Sequence, residues 1–345
     1  MRKAFGILIK VAAVIIAFVL LTLLFMPKYI QKNIDGRITP EFYREKTDVE
    51  IDFIGSSTVQ AGISPMTLYR EYGLISFDRS NSSQVMALSY YMAEDTIKRN
   101  KPKVIVFDVG FMYQNPDFVD EGASRKSLDG MKWSKSKSDA IKAMMDDSEH
   151  YIDYVFPILR FHSRWNDLSL EDLKYLIYKP TVTHNGQLLK FMSRGNQYDY
   201  NPYMLEEGTL VCEENMVYLK KMADLCKLND VKLMLIKMPF IEGNWCSSIN
   251  NQIEQFAIDN GLTYKCFIDD FDSIGLVKDT DFSDSQHMNV YGAEKFTKVL
   301  GEYIIENCDV TNKSSDSKYA NIYDKKLERY EYAIDNKISI DEDIE

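Results

Sequence analysis

The chain has 345 residues, of which 45% are hydrophobic and 27% charged, a globular composition that excludes a disordered, collagen-like or polytopic membrane protein. With a net charge of −11, any surface that binds polyanions would have to be local, so we expect no nucleic acid among its partners. The five cysteines are widely spaced without a C-x-x-C pair, which is typical of neither a disulfide framework nor a zinc site.

The first predicted element is a membrane-spanning helix. An apolar run over residues 4–26 is interrupted only by Lys10 and Thr22, and as a helix it would span roughly 34 Å. It is apolar on every face, which argues against a buried helix of the domain core. A cleaved signal peptide is the alternative, but the run is long for one and lacks a small-x-small cleavage pattern. We predict an uncleaved signal anchor over residues 1–27.

Charges on the two flanks of this run bear on its orientation. Arg2 and Lys3 precede it and Lys10 lies near the same end, which favours an inside N-terminus. We therefore predict a single-pass cell-membrane protein with its main domain extracytoplasmic. Three basic residues also follow the run, so a domain facing the cytoplasm stays open: Lys28, Lys32 and Arg37.

The remaining chain alternates short apolar runs with helical patterns. Strands are predicted over residues 49–54, 73–77, 103–109, 231–238 and 264–268. Helices are predicted over residues 83–99, 170–178, 213–227, 248–260 and 290–307. Several strands are apolar at consecutive positions, as in strands covered by helices on both faces. The pattern predicts an α/β fold with three layers, a parallel sheet flanked by helices.

The same pattern divides the chain into segments. A polar stretch over 28–47, with Gly36 and Pro40, is interpreted as a linker. The α/β domain should cover 48–310, with a largely helical insertion around 115–210 where no strand is convincing. Residues 311–345 are rich in charge and poor in apolar positions, which predicts a solvated, flexible tail. A short helix over 323–334 is the alternative for the tail.

Two segments carry residues typical of nucleophilic catalysis. The first predicted strand is followed by Gly55-Ser56-Ser57, and ligands of open α/β sheets bind at the carboxyl ends of strands. Far downstream, Asp284-Ser-Gln-His287 offers a base together with a carboxylate that orients it, the pair that activates a serine. Read singly, each segment also fits an ordinary capped turn or a structural histidine.

Together the two segments resemble the SGNH/GDSL hydrolase superfamily, in chain order and in the spacing of Asp284 and His287. The resemblance implies that Ser57 is the nucleophile, with Ser56 in place of the usual aspartate. It covers roughly residues 48–305. The membrane anchor makes the chain similar to the extracytoplasmic branch, which includes a protein of teichoic acid D-alanylation and O-acetyltransferases of exopolysaccharides.

The superfamily also implies donors that stabilise an oxyanion, and here the chain departs from the pattern. In the superfamily these donors are a glycine in the second sequence block and an asparagine in the third. Here Ser83 stands at the position of that glycine and Gly110 at the position of that asparagine. Main-chain N–H groups at Ser57, Ser83 or Gly110, or the Asn81 side chain, are the candidate substitutes. An incomplete set of donors would favour slow transfer over rapid hydrolysis.

Further polar residues are candidates for substrate binding rather than chemistry. His162, Arg164 and Trp165 combine cations with an indole, which suits an anionic or sugar ligand. The four histidines have no metal-ligand spacing and no Gly-rich phosphate loop occurs, so we expect neither a metal nor a cofactor.

The sequence therefore predicts a membrane-anchored serine esterase or acyltransferase. Its substrate would be an acyl ester of a cell-envelope polysaccharide, a lipid-linked glycan or a teichoic acid. The resemblance also implies a membrane-bound O-acyltransferase as a partner that delivers acyl groups. The alternative is a non-catalytic protein of the same fold that binds glycan or acts as a scaffold for polymer modification.

Overall fold

Five parallel strands form the central sheet. The structure is a computed structural model that describes residues 2–26, 35–115 and 121–339. The strands are, in chain order, β1 (Ile51–Ile54), β2 (Ser76–Asp78), β3 (Val104–Asp108), β4 (Lys232–Lys237) and β5 (Thr263–Cys266). Across the sheet their order is β2-β1-β3-β4-β5, with every neighbouring pair parallel. All five overlap the predicted strands, although β2 begins three residues later than predicted.

The strand order reverses at β1. The chain passes from β1 to β2 on one side and then returns to β3 on the other side. Connections from β1 and β3 therefore leave in opposite directions and open a crevice between the carboxyl ends of these two strands. This crevice is where an open α/β sheet offers space for a ligand.

Helices precede the sheet, connect its strands and follow it. Up to β3 they are α1 (Arg2–Phe25), α2 (Ile38–Phe42), α3 (Ser57–Gly62), α4 (Pro65–Tyr72) and α5 (Met86–Asn100). Between β3 and β4 they are α6 (Glu121–Leu128), α7 (Lys135–Met144), α8 (Tyr151–Val155), α9 (Ile158–Phe161), α10 (Leu170–Ile177) and α11 (Glu213–Leu228). The remaining helices are α12 (Ser247–Asn260), α13 (Lys278–Asp281), α14 (Val290–Asn307) and α15 (Ser317–Asp335).

Both faces of the sheet are covered by helices. On one face α5, α11 and α12 pack on alternate strand residues such as Ile105, Phe107 and Leu235. On the other face α3, α4 and α14 pack on the intervening residues, among them Phe53 and Val106. Burial on both faces explains why these strands are apolar at consecutive positions. The predicted α/β class, a parallel sheet between two helical layers, is confirmed.

The N-terminal helix α1 has a different environment. Its 24 residues correspond to about 36 Å of helix, and its apolar side chains, such as Val14 and Ile16, are exposed. Within the described residues it is the one helix long and apolar enough to cross a membrane. The predicted apolar helix ahead of the α/β domain is therefore present.

The segment predicted as a linker belongs partly to the domain. Residues 28–34 lie outside the described residues, but α2 packs against the sheet edge. Ile38 and Phe42 of α2 are fully buried, and the Phe42 and Phe77 rings lie 5.3 Å apart between centroids. The interpretation of residues 35–47 as a polar tether is wrong. Two apolar residues in so short a segment are too few to reveal the spacing of a packed helix in the sequence. Their side chains nevertheless fill a gap beside β2.

The segment predicted as a flexible tail also packs on the domain. Residues 340–345 lie outside the described residues, but α15 buries Tyr319, Tyr323 and Tyr330 against α4 and its neighbours. The prediction of a solvated tail is wrong for residues 317–335. Its core-facing positions are tyrosines, whose rings fill an apolar cluster while their hydroxyls keep polar partners, as when the Ser64 hydroxyl donates to Tyr330 at 3.0 Å.

We expect Tyr330→Ala to lower the free energy of unfolding by about 3–5 kcal/mol, because it removes a buried ring and the partner of Ser64. Tyr332, on the same helix, is 62% exposed and provides the matched control, since Tyr332→Ala should change stability by less than about 0.5 kcal/mol. Urea unfolding of the chain in detergent measures both. Equal effects of the two variants would contradict the packing of α15.

Candidate active site

Ser57 lies at the carboxyl end of β1, beside the crevice. The strand is followed by Gly55 and Ser56, and Ser57 is the first residue of α3. A side chain at Gly55 does not fit, because a Cβ there would lie 2.3 Å from Val59 Cγ2 and 3.4 Å from Asp108 Cβ. The tight turn holds the half-buried Ser57 hydroxyl at the edge of the sheet.

Asp284 and His287 lie in the loop between α13 and α14. The Ser283 N–H donates to the His287 carbonyl at 2.8 Å and closes the loop at its base. Inside the loop, Asp284 Oδ1 accepts the main-chain N–H groups of Gln286 and His287, each at 2.9 Å. The three-residue spacing thus fixes the carboxylate beside the imidazole.

The structure brings Ser57, His287 and Asp284 together, although Ser57 and His287 are 230 positions apart in the chain. Ser57 Oγ lies 2.7 Å from His287 Nε2, and His287 Nδ1 lies 2.8 Å from Asp284 Oδ2. A neutral imidazole that donates from Nδ1 to the carboxylate has its Nε2 lone pair directed at the serine hydroxyl. This is the arrangement that allows a histidine to take a proton from serine.

The carboxylate of this group stays ionised over a wide pH range. Burial disfavours the charge of Asp284, but hydrogen bonds from His287 and from main-chain N–H groups outweigh burial and lower its pKa from 3.8 to about 2. Asp284 is therefore an acceptor for the His287 N–H at any pH above about 4.

A cavity of about 180 Å³ opens in front of Ser57, at the carboxyl ends of β1, β3 and β4. Phe111, Tyr113 and Phe240 supply its aromatic lining. Its polar lining includes Thr58, Gln84, Asp108, Gln114, Lys237 and Asn244. An ester group bound in this cavity would lie next to the serine hydroxyl.

Of the candidate oxyanion donors, two line this cavity together with Ser57, namely Ser83 and Gly110. Ser83 has φ +58°, in the left-handed region that favours glycine, so a glycine at this position would be less strained. Asn81 is fully buried, and its side-chain amide donates to Ser127 Oγ at 2.8 Å instead of facing the cavity. The structure therefore does not place the Asn81 amide in the lining of the cavity.

Lys237 is a cavity residue that the sequence analysis missed. It ends β4, is 1% exposed, and its ammonium donates to the Met238 carbonyl at 2.8 Å. A Cβ on Gly110 would lie 3.3 Å from Lys237 Nζ, so the glycine leaves space beside the ammonium. Burial lowers the pKa of Lys237 from 10.5 to about 8, while Asp108 opposes the shift. The sequence offered one indication of this role, namely that Lys237 is a charged residue at the end of an apolar strand.

Asp108 ends β3 and lines the same cavity. Its Oδ1 accepts the Met238 N–H at 3.0 Å, and its Oδ2 accepts the Thr58 hydroxyl at 3.3 Å. These two bonds connect the turn after β4 with the first turn of α3. Asp108 therefore positions the segment that carries Ser57.

The three predicted substrate-binding residues do not line this cavity. The Arg164 guanidinium donates to the Phe25 carbonyl at 2.8 Å and to the Met26 carbonyl at the end of α1. His162 Nδ1 pairs with the Leu159 carbonyl at 2.9 Å, and Trp165 is 66% exposed. The structure does not bring these residues to Ser57, because α8–α10 fold against α1 and not over the sheet.

Some solved structures are similar to this chain at low sequence identity. No family model matches the chain, and no curated protein matches it. A GDSL-like lipase structure from Bacteroides thetaiotaomicron is 12% identical, with 79% of this chain and 97% of that chain covered and a TM-score of 0.38. An acylhydrolase candidate from Bacteroides fragilis is 10% identical, with 81% and 96% covered and a TM-score of 0.36. At these values neither similarity assigns an activity or a substrate to this chain.

Proposed function

We propose that this chain is a membrane-anchored, extracytoplasmic serine esterase or acyltransferase. Its substrates are acyl esters of a cell-envelope polysaccharide, lipid-linked glycan or teichoic acid. The observation that carries the proposal is the chain of contacts from Ser57 Oγ to His287 Nε2 at 2.7 Å and from His287 Nδ1 to Asp284 at 2.8 Å. The adjoining cavity supports it, since it offers room for an ester next to the serine.

The chemistry follows the roles of these three groups. Ser57 Oγ attacks the acyl carbonyl carbon while His287 Nε2 takes the hydroxyl proton, and Asp284 stabilises the imidazolium. The tetrahedral intermediate collapses as His287 returns the proton to the departing alcohol, which leaves the acyl group on Ser57. Water or an acceptor hydroxyl then attacks the acyl carbon while His287 accepts its proton. The bond to Ser57 Oγ breaks as His287 returns that proton to the serine, which restores the free hydroxyl. Main-chain N–H groups at Ser83 and Gly110 are the candidate donors to the oxyanion.

The anchor gives this chemistry its location. An α1 that spans the cell membrane keeps the cavity close to wall-bound or lipid-linked polymers. In this proposal a membrane-bound O-acyltransferase delivers the acyl group, and a polymer hydroxyl competes with water for the acyl-enzyme.

The test uses the full chain in detergent with a fluorophosphonate probe and with nitrophenyl acetate. We expect covalent labelling at Ser57 and release of nitrophenolate, because both need an activated serine and little else from the substrate. Adding glycerol as an acceptor separates transfer from hydrolysis, since transfer yields acetylglycerol at the expense of acetate. A wild-type chain that neither labels nor releases nitrophenolate would favour the non-catalytic binding or scaffold function.

Lys237 supports a negatively charged polymer as the substrate. Within the described residues it is the one cationic side chain that lines the cavity. We expect Lys237→Met to lower kcat/KM for acetylglycerol phosphate about tenfold more than for acetylglycerol, the size of a lost charge-assisted hydrogen bond. Because its pKa is about 8, the preference of the wild type for the phosphorylated ester should decline as pH rises through 8.

Lys232, at the exposed start of the same strand, provides the control for this prediction. Lys232→Met should leave the ratio of the two kcat/KM values unchanged. Lys237→Arg should preserve part of the preference for the phosphorylated ester, since it retains the charge. Acetate release measures all four proteins. A ratio that stays constant in Lys237→Met would contradict recognition of an anionic substrate.

A further inference from the structure

Helix α10 has an inverted distribution of polar and apolar residues. Its Asp172 side chain points toward the protein and is buried. This carboxylate forms a capping box with Ser169 and lies 3.5 Å from the Arg164 guanidinium. On the opposite side Leu170, Leu173 and Ile177 are 75%, 51% and 92% exposed. Single exposed leucines are common, but an amphipathic helix that exposes its apolar face and buries its acid is not.

Neighbouring helices extend this face. Phe156 follows α8, Leu159 lies in α9 and Trp165 precedes α10, and these side chains are 40%, 49% and 66% exposed. The apolar face, as we call these six residues, consists of Phe156, Leu159, Trp165, Leu170, Leu173 and Ile177. In the part of the chain that the structure describes, all six side chains stay at least 40% exposed although the helices that carry them contact one another or α1, and exposed apolar side chains grouped in this way mark an interaction site.

The apolar face is attached to α1 by specific contacts. The Phe156 and Phe18 rings meet edge to face with centroids 5.8 Å apart. Phe161 is buried against Met26 at the end of α1, where the Arg164 guanidinium also binds the last helix carbonyls. Backbone carbonyls at a helix end need such a donor when little water reaches them. The segment from α8 to α10 is thus fixed to α1.

The position of Phe18 sets the depth of this contact. Phe18 lies about two turns before the end of α1, and therefore about 10 Å along its axis from Phe25. When α1 spans a bilayer with a hydrocarbon core of about 30 Å, Phe18 lies inside that core. A ring that touches Phe18 from the side then also lies below the level of the polar headgroups.

We propose that the apolar face is a second membrane contact, in which α8–α10 lie in the leaflet on the domain side, next to α1. The occupant of the face is the lipid bilayer, because the face continues directly from a helix whose exposed apolar side chains need the same solvent. Trp165 and the exposed Lys174 suit the interface, where an indole and an ammonium reach the headgroups. This inference depends on the proposed anchoring through α1, and it is independent of the proposed catalysis.

The consequence is a fixed orientation of the domain. A single helix joined by a linker would leave the domain free to tilt, whereas two contacts with one bilayer hold it in one pose. The cavity at Ser57 then stays at a constant height above the lipid.

The test measures fluorescence of the full chain in nanodiscs made from phosphatidylcholine with brominated acyl chains, which quench tryptophan in the bilayer. We expect Trp165→Phe to remove at least half of the quenching seen in the wild type. Ile177→Glu should reduce the quenching at least twofold, because a carboxylate is expelled from hydrocarbon. Ile258→Glu is the matched control, since Ile258 is also an exposed isoleucine on a helix, 66% exposed on α12, and should leave the quenching unchanged.

Two results would overturn the inference. One is wild-type quenching that Trp165→Phe leaves intact. The other is a lack of bromine quenching of Trp165 in nanodiscs that each contain two chains. That result would show that a second copy of the chain, and not lipid, covers the apolar face. Both readouts are independent of ester hydrolysis, so a failure of the proposed catalysis would leave them informative.

Discussion

Ser57→Ala is expected to abolish labelling by the fluorophosphonate probe and to lower kcat for nitrophenyl acetate by at least about 10³-fold, because it removes the only atom that forms the acyl bond. KM should change little, since the cavity walls remain. The chain should keep its stability, because the half-buried Ser57 hydroxyl contributes one hydrogen bond, to His287. Mass spectrometry of the labelled peptide and initial rates measure the two effects.

Ser56 provides a control at the neighbouring position. Its hydroxyl lies 3.2 Å from Thr58 Oγ1, and its bond is to that side chain rather than to His287. We expect Ser56→Ala to retain labelling and to change kcat less than tenfold. Labelling that persists in Ser57→Ala, or that disappears in Ser56→Ala instead, would show that the nucleophile is assigned to the wrong serine.

Asp284→Asn is expected to lower kcat by about 10²–10⁴-fold with little change in KM. Asparagine retains an oxygen for the main-chain N–H groups of Gln286 and His287, so the loop should keep its shape. Both carboxylate oxygens of Asp284 lie close to His287 Nδ1, Oδ1 at 2.9 Å and Oδ2 at 2.8 Å, and an amide group at the Oδ2 position donates to Nδ1 where the carboxylate accepts from it. The imidazole then favours the tautomer with the proton on Nε2, which cannot take the proton of Ser57.

The pH dependence of stability provides a second readout for this variant. Because the pKa of Asp284 is lowered from 3.8 to about 2, its ionised form stabilises the fold above pH 4 and this contribution is lost as pH falls toward 2. Asp284→Asn should lack that part of the acid-induced loss. Asp279→Asn, an exposed aspartate in α13, serves as the control with unchanged kcat. A kcat that falls equally in both variants would point to general disturbance of the loop.

The local pattern of the chain was sufficient to predict the sheet. Residues that alternate between two buried faces, such as Val106 and Phe107, leave a continuous apolar run, and each such run became a strand at the predicted place. The Gly55 turn and the three-residue spacing of Asp284 and His287 are local as well, since each depends on contacts within one segment.

The sequence missed features in which a side chain is defined by its distant neighbours. The segments at 35–47 and 317–335 look polar, yet Phe42 and the tyrosines of α15 fill gaps left by other elements. Lys237 is visible in the sequence only as a charge at the end of an apolar strand, and its place in the cavity depends on the distant turn at Gly110, which leaves space beside its ammonium. Arg164 looks like a ligand-binding cation, but its partners are carbonyls at the end of α1 and the buried Asp172.

By itself, then, the sequence determined the apolar N-terminal helix, the strands and the two short motifs, because hydrophobic period and turn chemistry operate over a few residues. Tertiary structure alone decided that the serine and the imidazole meet, which charges surround them, and how α8–α10 lie against α1. Those results depend on packing between segments that are far apart along the chain, and no local pattern records such packing.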